Sequence, residues 1–120
     1  MLNLDTNMLI LAWRGDLTRA ERRLLSSDSW GISSIGLWEL AKFSEIGRIE
    51  VDLTDPDIKT ALDRVHVWPI DMEIARLANE LDFEGDPADL LIAATSIRHA
   101  APLVTRDPVI LESDLVPFAT

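Results

Sequence analysis

A chain of 120 residues with 21 acidic side chains, 11 basic ones, a formal charge of −10 and no cysteine excludes thiol catalysis, disulfides and cysteine-based zinc sites. Its apolar content of 48% disfavours disorder, and its length suffices for one hydrophobic core without covalent staples. The negative balance argues against broad electrostatic wrapping of nucleic acid, although a bound cation or a local cluster of basic groups would still permit a nuclease.

Short apolar strands alternate with amphipathic segments, which predicts one α/β domain over residues 1–120, with a mostly parallel sheet of four to five strands between helices. Residues 2–5 read as a strand that runs through Thr6-Asn7 into a helix ending near Trp13. Thr18-Arg19-Ala20-Glu21 has capping-box spacing and starts a second helix that ends near Ser26. Arg19, Arg22 and Arg23 gather on it, either as a solvated face or as a docking face. Trp30 to Ser33 reads as a second strand, followed by a helix from Ser34 to about Ile46 that Gly47 stops.

Asp55-Pro56 opens a fourth helix to about Arg64, and Val65 to Pro69 is a short third strand. Asp71 caps a helix with Ile74, Leu77, Ala78 and Leu81 at helical spacing, and Asp86-Pro87 begins the last long helix, to about Ala100. Leu103 to Thr105 is the fourth strand, and Leu115 to Phe118 reads as a fifth. No apolar run reaches the roughly 18 residues of a membrane span. No basic segment precedes the first apolar stretch, so no secretory signal or membrane segment is expected and the cytoplasm is the expected compartment. His66 and His99 lack the spacing of a zinc motif.

Four carboxylates stand out because they border or interrupt apolar runs: Asp5, Glu39, Asp89 and Asp107. An isolated buried carboxylate is costly, whereas several converging on one cleft become favourable when a hard divalent cation joins them. In open parallel sheets, sites form beyond the carboxyl ends of the strands. Asp5 and Asp107 follow the first and fourth strands, and Asp89 lies in the first turn of the helix that feeds the fourth. Glu39 lies early in the helix after the second, so all four are expected at one edge.

Each acid also has a structural explanation. Asp5 caps the helix after it, Asp89 completes a capping arrangement with Asp86, Asp107 before Pro108 is turn chemistry, and Lys42 pairs with Glu39. Trp13, Leu17, Leu24, Leu25 and Trp38 read either as core or as an apolar groove for a partner helix.

Leu4-Asp5-Thr6-Asn7, Ser33-Ser34-Ile35-Gly36-Leu37-Trp38-Glu39-Leu40, Gly47-Arg48-Ile49, Asp86-Pro87-Ala88-Asp89 with Ile92-Ala93-Ala94-Thr95, and Leu103-Val104-Thr105-Arg106-Asp107 together resemble the PIN domain family, in particular its bacterial VapC-type toxin branch. The resemblance implies a three-layer α/β/α fold and an endoribonuclease dependent on Mg²⁺ or Mn²⁺. It further implies a small antitoxin partner, an RNA substrate and a homodimer. Asp5, Glu39, Asp89 and Asp107 map onto the family's acidic quartet, as metal ligands and catalytic groups; Asn7 and Thr105 map onto orienting positions, and Asp86 is assigned mainly to capping.

Two departures stand out: Glu84 and Leu90 occupy positions where many toxin relatives carry His and Arg. Their loss keeps a second reading open, a PIN-like interaction module with weak catalysis. A phosphoryl-accepting receiver domain fits poorly, because Thr6 follows Asp5 where a second acid is needed and no Lys follows the fourth strand.

Overall fold

A computed structural model describes residues 1–120. Its elements in chain order are β1 (Leu2–Leu4), α1 (Thr6–Arg14), α2 (Arg19–Leu25), β2 (Trp30–Ser33), α3 (Ser34–Glu45) and α4 (Pro56–Asp63). They continue with β3 (His66–Trp68), α5 (Met72–Ala78), α6 (Pro87–His99), β4 (Leu103–Val104) and α7 (Pro108–Leu111). The four strands form one sheet in the order β3-β2-β1-β4, and every pairing is parallel. The chain therefore builds outward from β1 to β3, then crosses back through α5 and α6 to add β4 on the other side of β1. Such a reversal opens a crevice beyond the carboxyl end of the central strand.

Two expectations change near the C-terminus. The segment Leu115 to Phe118 forms no full strand; one bridge joins Leu103 to Phe118, with backbone bonds from Leu103 N to Pro117 O and from Ala119 N to Leu103 O. The turn at Asp107-Pro108 continues into the short helix α7, with proline at its first position, where no backbone N–H is needed.

Side-chain alternation along β1 sets the layers. Leu2 and Leu4 join the larger core cluster with Met8, Leu9, Ile10, Leu25, Ile32, Leu40, Val65 and Val104. Asn3, on the opposite face, is fully buried; its amide donates to Ile92 O (3.1 Å) and to Ser96 Oγ (2.8 Å). This polar clamp ties α6 across β1, beside a second cluster of Ile92, Ala93, Leu103, Ile110 and Val116. Leu25 is buried, and Trp13, Leu17 and Leu24 pack against the larger core, so these four are core residues. Trp38 is not: it is 60% exposed, beside Leu37 at 39%. No helix is long and apolar enough to cross a membrane.

Gly31 marks the closest approach in the sheet. A Cβ there would stand 2.5 Å from Trp68 Cζ3 and 2.6 Å from Cη2. Trp68 has little room to yield, being buried, stacked on His99 and edge-on to His66. We expect Gly31→Ala to destabilise the fold by about 1–3 kcal/mol, the usual cost of overpacking a core. The check is a urea melt in which the midpoint falls and the slope stays constant.

Candidate active site

Every helix begins with an Asp, Ser or Thr whose side chain accepts a hydrogen bond from a first-turn N–H. Three of these caps, Asp5, Asp86 and Asp107, open α1, α6 and α7 at the carboxyl edge of the sheet, and all three line one cleft of about 460 Å³. Asp89 and Glu39 line the same cleft. The four predicted acids, far apart in sequence, thus meet in one place with Asp86 as a fifth.

Local geometry explains each arrival. Asp5 follows β1 directly, so its burial is set by the strand. Its Oδ1 accepts from Met8 N (2.8 Å) and its Oδ2 from Thr105 Oγ1 (2.5 Å). Thr105 Oγ1 in turn accepts from Asp107 N (3.1 Å), so one hydroxyl links the loops after β1 and β4. On α6, Asp89 is three and seven residues before Ile92 and Ser96, the two residues held by Asn3. It therefore shares their helical face and lies beyond the end of β1. Asp86 Oδ1 caps this helix by accepting from Asp89 N (3.1 Å).

Glu39 is half-buried on α3 and makes no ion pair with Lys42. Its Oε1 instead accepts from Thr6 Oγ1 (2.6 Å). Thr6 is a residue that pattern reading missed as a partner of Glu39; the sequence shows only a hydroxyl residue immediately after Asp5. Asn7, expected to orient the acids, lines the cleft but is exposed and makes no side-chain hydrogen bond to any of them. The short Thr6 hydroxyl at the first helical position reaches Glu39, whereas the Asn7 side chain leaves the sheet edge toward solvent.

The electrostatics are those of clustered negative charge, eased in part by the charges of Arg106 on Asp5 and Arg48 on Glu39. None of the five acids makes an ion pair. Burial raises the Asp5 carboxyl above its ordinary range, against the lowering effect of its bonds from Thr105 and Met8, and the charge of Asp107 adds to the rise. Burial raises Glu39 likewise, opposed by Thr6 and reinforced by Asp86 and Asp5. Asp89 is pushed from 3.8 to about 7, first by desolvation and then by Asp86, Asp107, Glu39 and Asp5. Arg106 and Arg48 also line the cleft. Arg106 is committed to Glu21, through Nε (2.7 Å) and Nη2 (2.5 Å), and this pair holds Glu21 down to about 2.

The donors are all hard carboxylate and hydroxyl oxygens, the set that Mg²⁺ and Mn²⁺ take. Their mutual repulsion is the kind that a cation relieves. The fit is chemical rather than a closed cage: no three acidic or histidine side chains converge at ligand spacing. Glu84 and Leu90 are not part of the cleft wall; Leu90 packs toward Ile74, Ala78 and Ala94 between α5 and α6.

A parallel sheet with an acidic crevice at the reversal of its strand order defines an α/β protein whose candidate site is lined by carboxylates. The sequence matches the PIN domain over residues 3–114, and the chain belongs to that family. It is 33% identical over 91 residues to Ribonuclease VapC22 of Mycobacterium tuberculosis, covering 73% of this chain and 70% of that protein. Its fold resembles VapBC2 of Rickettsia felis, solved with a DNA fragment from its promoter (TM-score 0.72, 21% identity, 98% of this chain and 97% of that one). It also resembles a toxin–antitoxin complex of Klebsiella pneumoniae (TM-score 0.70, 21% identity, 93% and 91% covered).

Proposed function

We propose that this chain is a metal-dependent endoribonuclease and the toxin of a toxin–antitoxin pair, acting in the cytoplasm on RNA phosphodiesters. The observation that carries the reading is the set of five carboxylates around one cleft, three of them held above their ordinary protonation range and none in an ion pair. The likeness to Ribonuclease VapC22 supports RNA as the substrate. The toxin–antitoxin complexes among the similar folds support an antitoxin partner and a homodimer.

Asp5, Asp89 and Asp107, with Glu39 beside them, would hold Mg²⁺ or Mn²⁺. Such an ion, when bound, acidifies water and neutralises charge on a phosphoryl oxygen. The chain's own part is positional. Thr105 ties Asp5 to the start of α7, and Thr6 fixes Glu39 against α1. With one oxygen of Asp5, Asp86 and Asp107 used in capping, the rigid helix ends hold these carboxylates in place. Orientation fixed in this way lowers the cost of assembling a reactive geometry. Asp89, near neutrality in its proton affinity, is suited to holding or releasing a proton at the cleft wall.

The test is cleavage of a mixed structured RNA pool. We expect cleavage with Mg²⁺ or Mn²⁺ and none after EDTA. Metal-independent cleavage would remove the metal from the reading. No cleavage, with no divalent binding by calorimetry, would replace the enzyme with an interaction module.

A further inference from the structure

The acidic cleft continues into a second groove of about 340 Å³, bounded by Asn7, Arg14, Phe43, Arg48, Ile49 and Arg106. Three of the eight residues that line it are arginines, and Ile10 and Leu11 complete its apolar side, in a chain whose net charge is −10. Two of them are occupied: Arg14 pairs with Asp16 (3.3 Å) and Arg106 with Glu21. Arg48 makes no ion pair, and the only carboxyl its charge is seen to lower is Glu39 across the junction with the acidic cleft. It is exposed and lies over the Phe43 ring, its Cζ 4.6 Å from the centroid.

The backbone holds Arg48 there. Gly47 takes a left-handed turn (φ 72°) after α3, and the Arg48 and Ile49 N–H groups both return to Phe43 O, at 2.9 and 3.3 Å. The stacked ring and the reversed chain leave a planar guanidinium at the junction, where it lines both the acidic cleft and the groove. Unlike an ammonium, a guanidinium fixed in this way presents a fork matched to phosphate oxygens. The apolar walls of Ile49 and Phe43 suit sugar and base faces.

We propose that this groove is the track for a single-stranded RNA backbone leaving the acidic cleft, with Arg48 as the binding residue for a phosphate adjacent to the cleaved one. The inference rests on the nuclease reading and adds where the substrate runs. It also supplies a phosphate contact from the turn after α3 rather than from α6, whose Leu90 packs against α5.

The experiment is fluorescence anisotropy of a labelled oligouridylate in EDTA across a salt series, with wild type, Arg48→Ala, Arg48→Lys and, as a charge-matched control remote from the groove, Arg64→Ala. The expected result is about a five- to tenfold weaker affinity for Arg48→Ala and a salt slope smaller by about 0.7, one phosphate contact on a single strand. Arg48→Lys should recover part of the affinity and Arg64→Ala should match wild type, with melting temperatures unchanged. Equal affinities for Arg48→Ala and Arg64→Ala, or no binding by wild type, would overturn the track. Binding through Arg48 without metal-dependent cleavage would sink the nuclease reading and leave the track standing. Cleavage with an unaltered KM and affinity in Arg48→Ala would do the reverse.

Discussion

Asp5→Asn is expected to reduce RNA cleavage by about a hundredfold or more, the scale on which a preorganised charge at a reacting centre acts, while the fold survives. Asp5 is 7% exposed and both its oxygens accept hydrogen bonds, from Met8 N and Thr105 Oγ1. Asparagine keeps one acceptor for the helix cap. Its amide would then meet the Thr105 hydroxyl, which can turn from donor to acceptor. The lost property is charge, in a place where burial already disfavours it. Melting temperature and circular dichroism should match wild type within error, and calorimetry should show weakened divalent binding. Near-native turnover in a folded Asp5→Asn protein would remove Asp5 from the metal site.

Asp89→Asn should abolish cleavage and, without divalent ions, stabilise the protein. The sign follows from proton linkage. A carboxyl raised from 3.8 to about 7 binds more protons in the folded state. Its contribution is fully present below pH 3.8 and is lost as pH rises through about 7. Asp89 is only half-buried, so solvent screening leaves about 1 kcal/mol of destabilisation above neutrality. Asparagine removes that cost and gives up part of a favourable first-turn charge. The melting temperature of the variant should therefore exceed wild type by a few degrees in EDTA at about pH 8 and converge with it at about pH 4. Saturating Mg²⁺ should raise wild type and leave the variant where it was. A variant less stable than wild type at the alkaline end would show that Asp89 is compensated by something other than a cation.

The acids were legible in sequence because each follows a local rule. Asp5 and Asp107 end apolar strand patterns, Asp86 and Asp89 occupy the start of a helix opened by proline, and Glu39 interrupts an apolar face. Capping and chemistry, which compete when the sequence is read alone, prove compatible at Asp5, Asp86 and Asp107: one oxygen closes the helix while the same side chain lines the cleft. What stayed hidden depends on register across the sheet. The Thr6–Glu39 bond, the Arg106–Glu21 pair and the Asn3 clamp on Ser96 span 33, 85 and 93 residues, and no local pattern reports such meetings. Asn3 even reads as part of an apolar run, because a buried side chain that satisfies its donors across a sheet leaves the hydrophobic pattern around it intact. The same holds for the C-terminal segment, where β propensity in Leu115–Phe118 yields one bridge because Leu103 and Val104 offer a strand of only two residues.

The hydroxyl that joins Asp5 to Asp107 has a consequence for how the protein is made. Thr105 is translated 100 residues after the carboxylate that it contacts, and Asp107 two residues later still. A nascent or prematurely terminated chain lacking β4 holds Asp5, Glu39 and Asp89 with no fourth strand to complete the sheet edge. The cleft then comes into being only once β4 and the loop that carries Asp107 have been made. For a protein whose proposed activity is directed at RNA, including the message it is read from, that order of synthesis delays attack until β4 and the residues after it have been made.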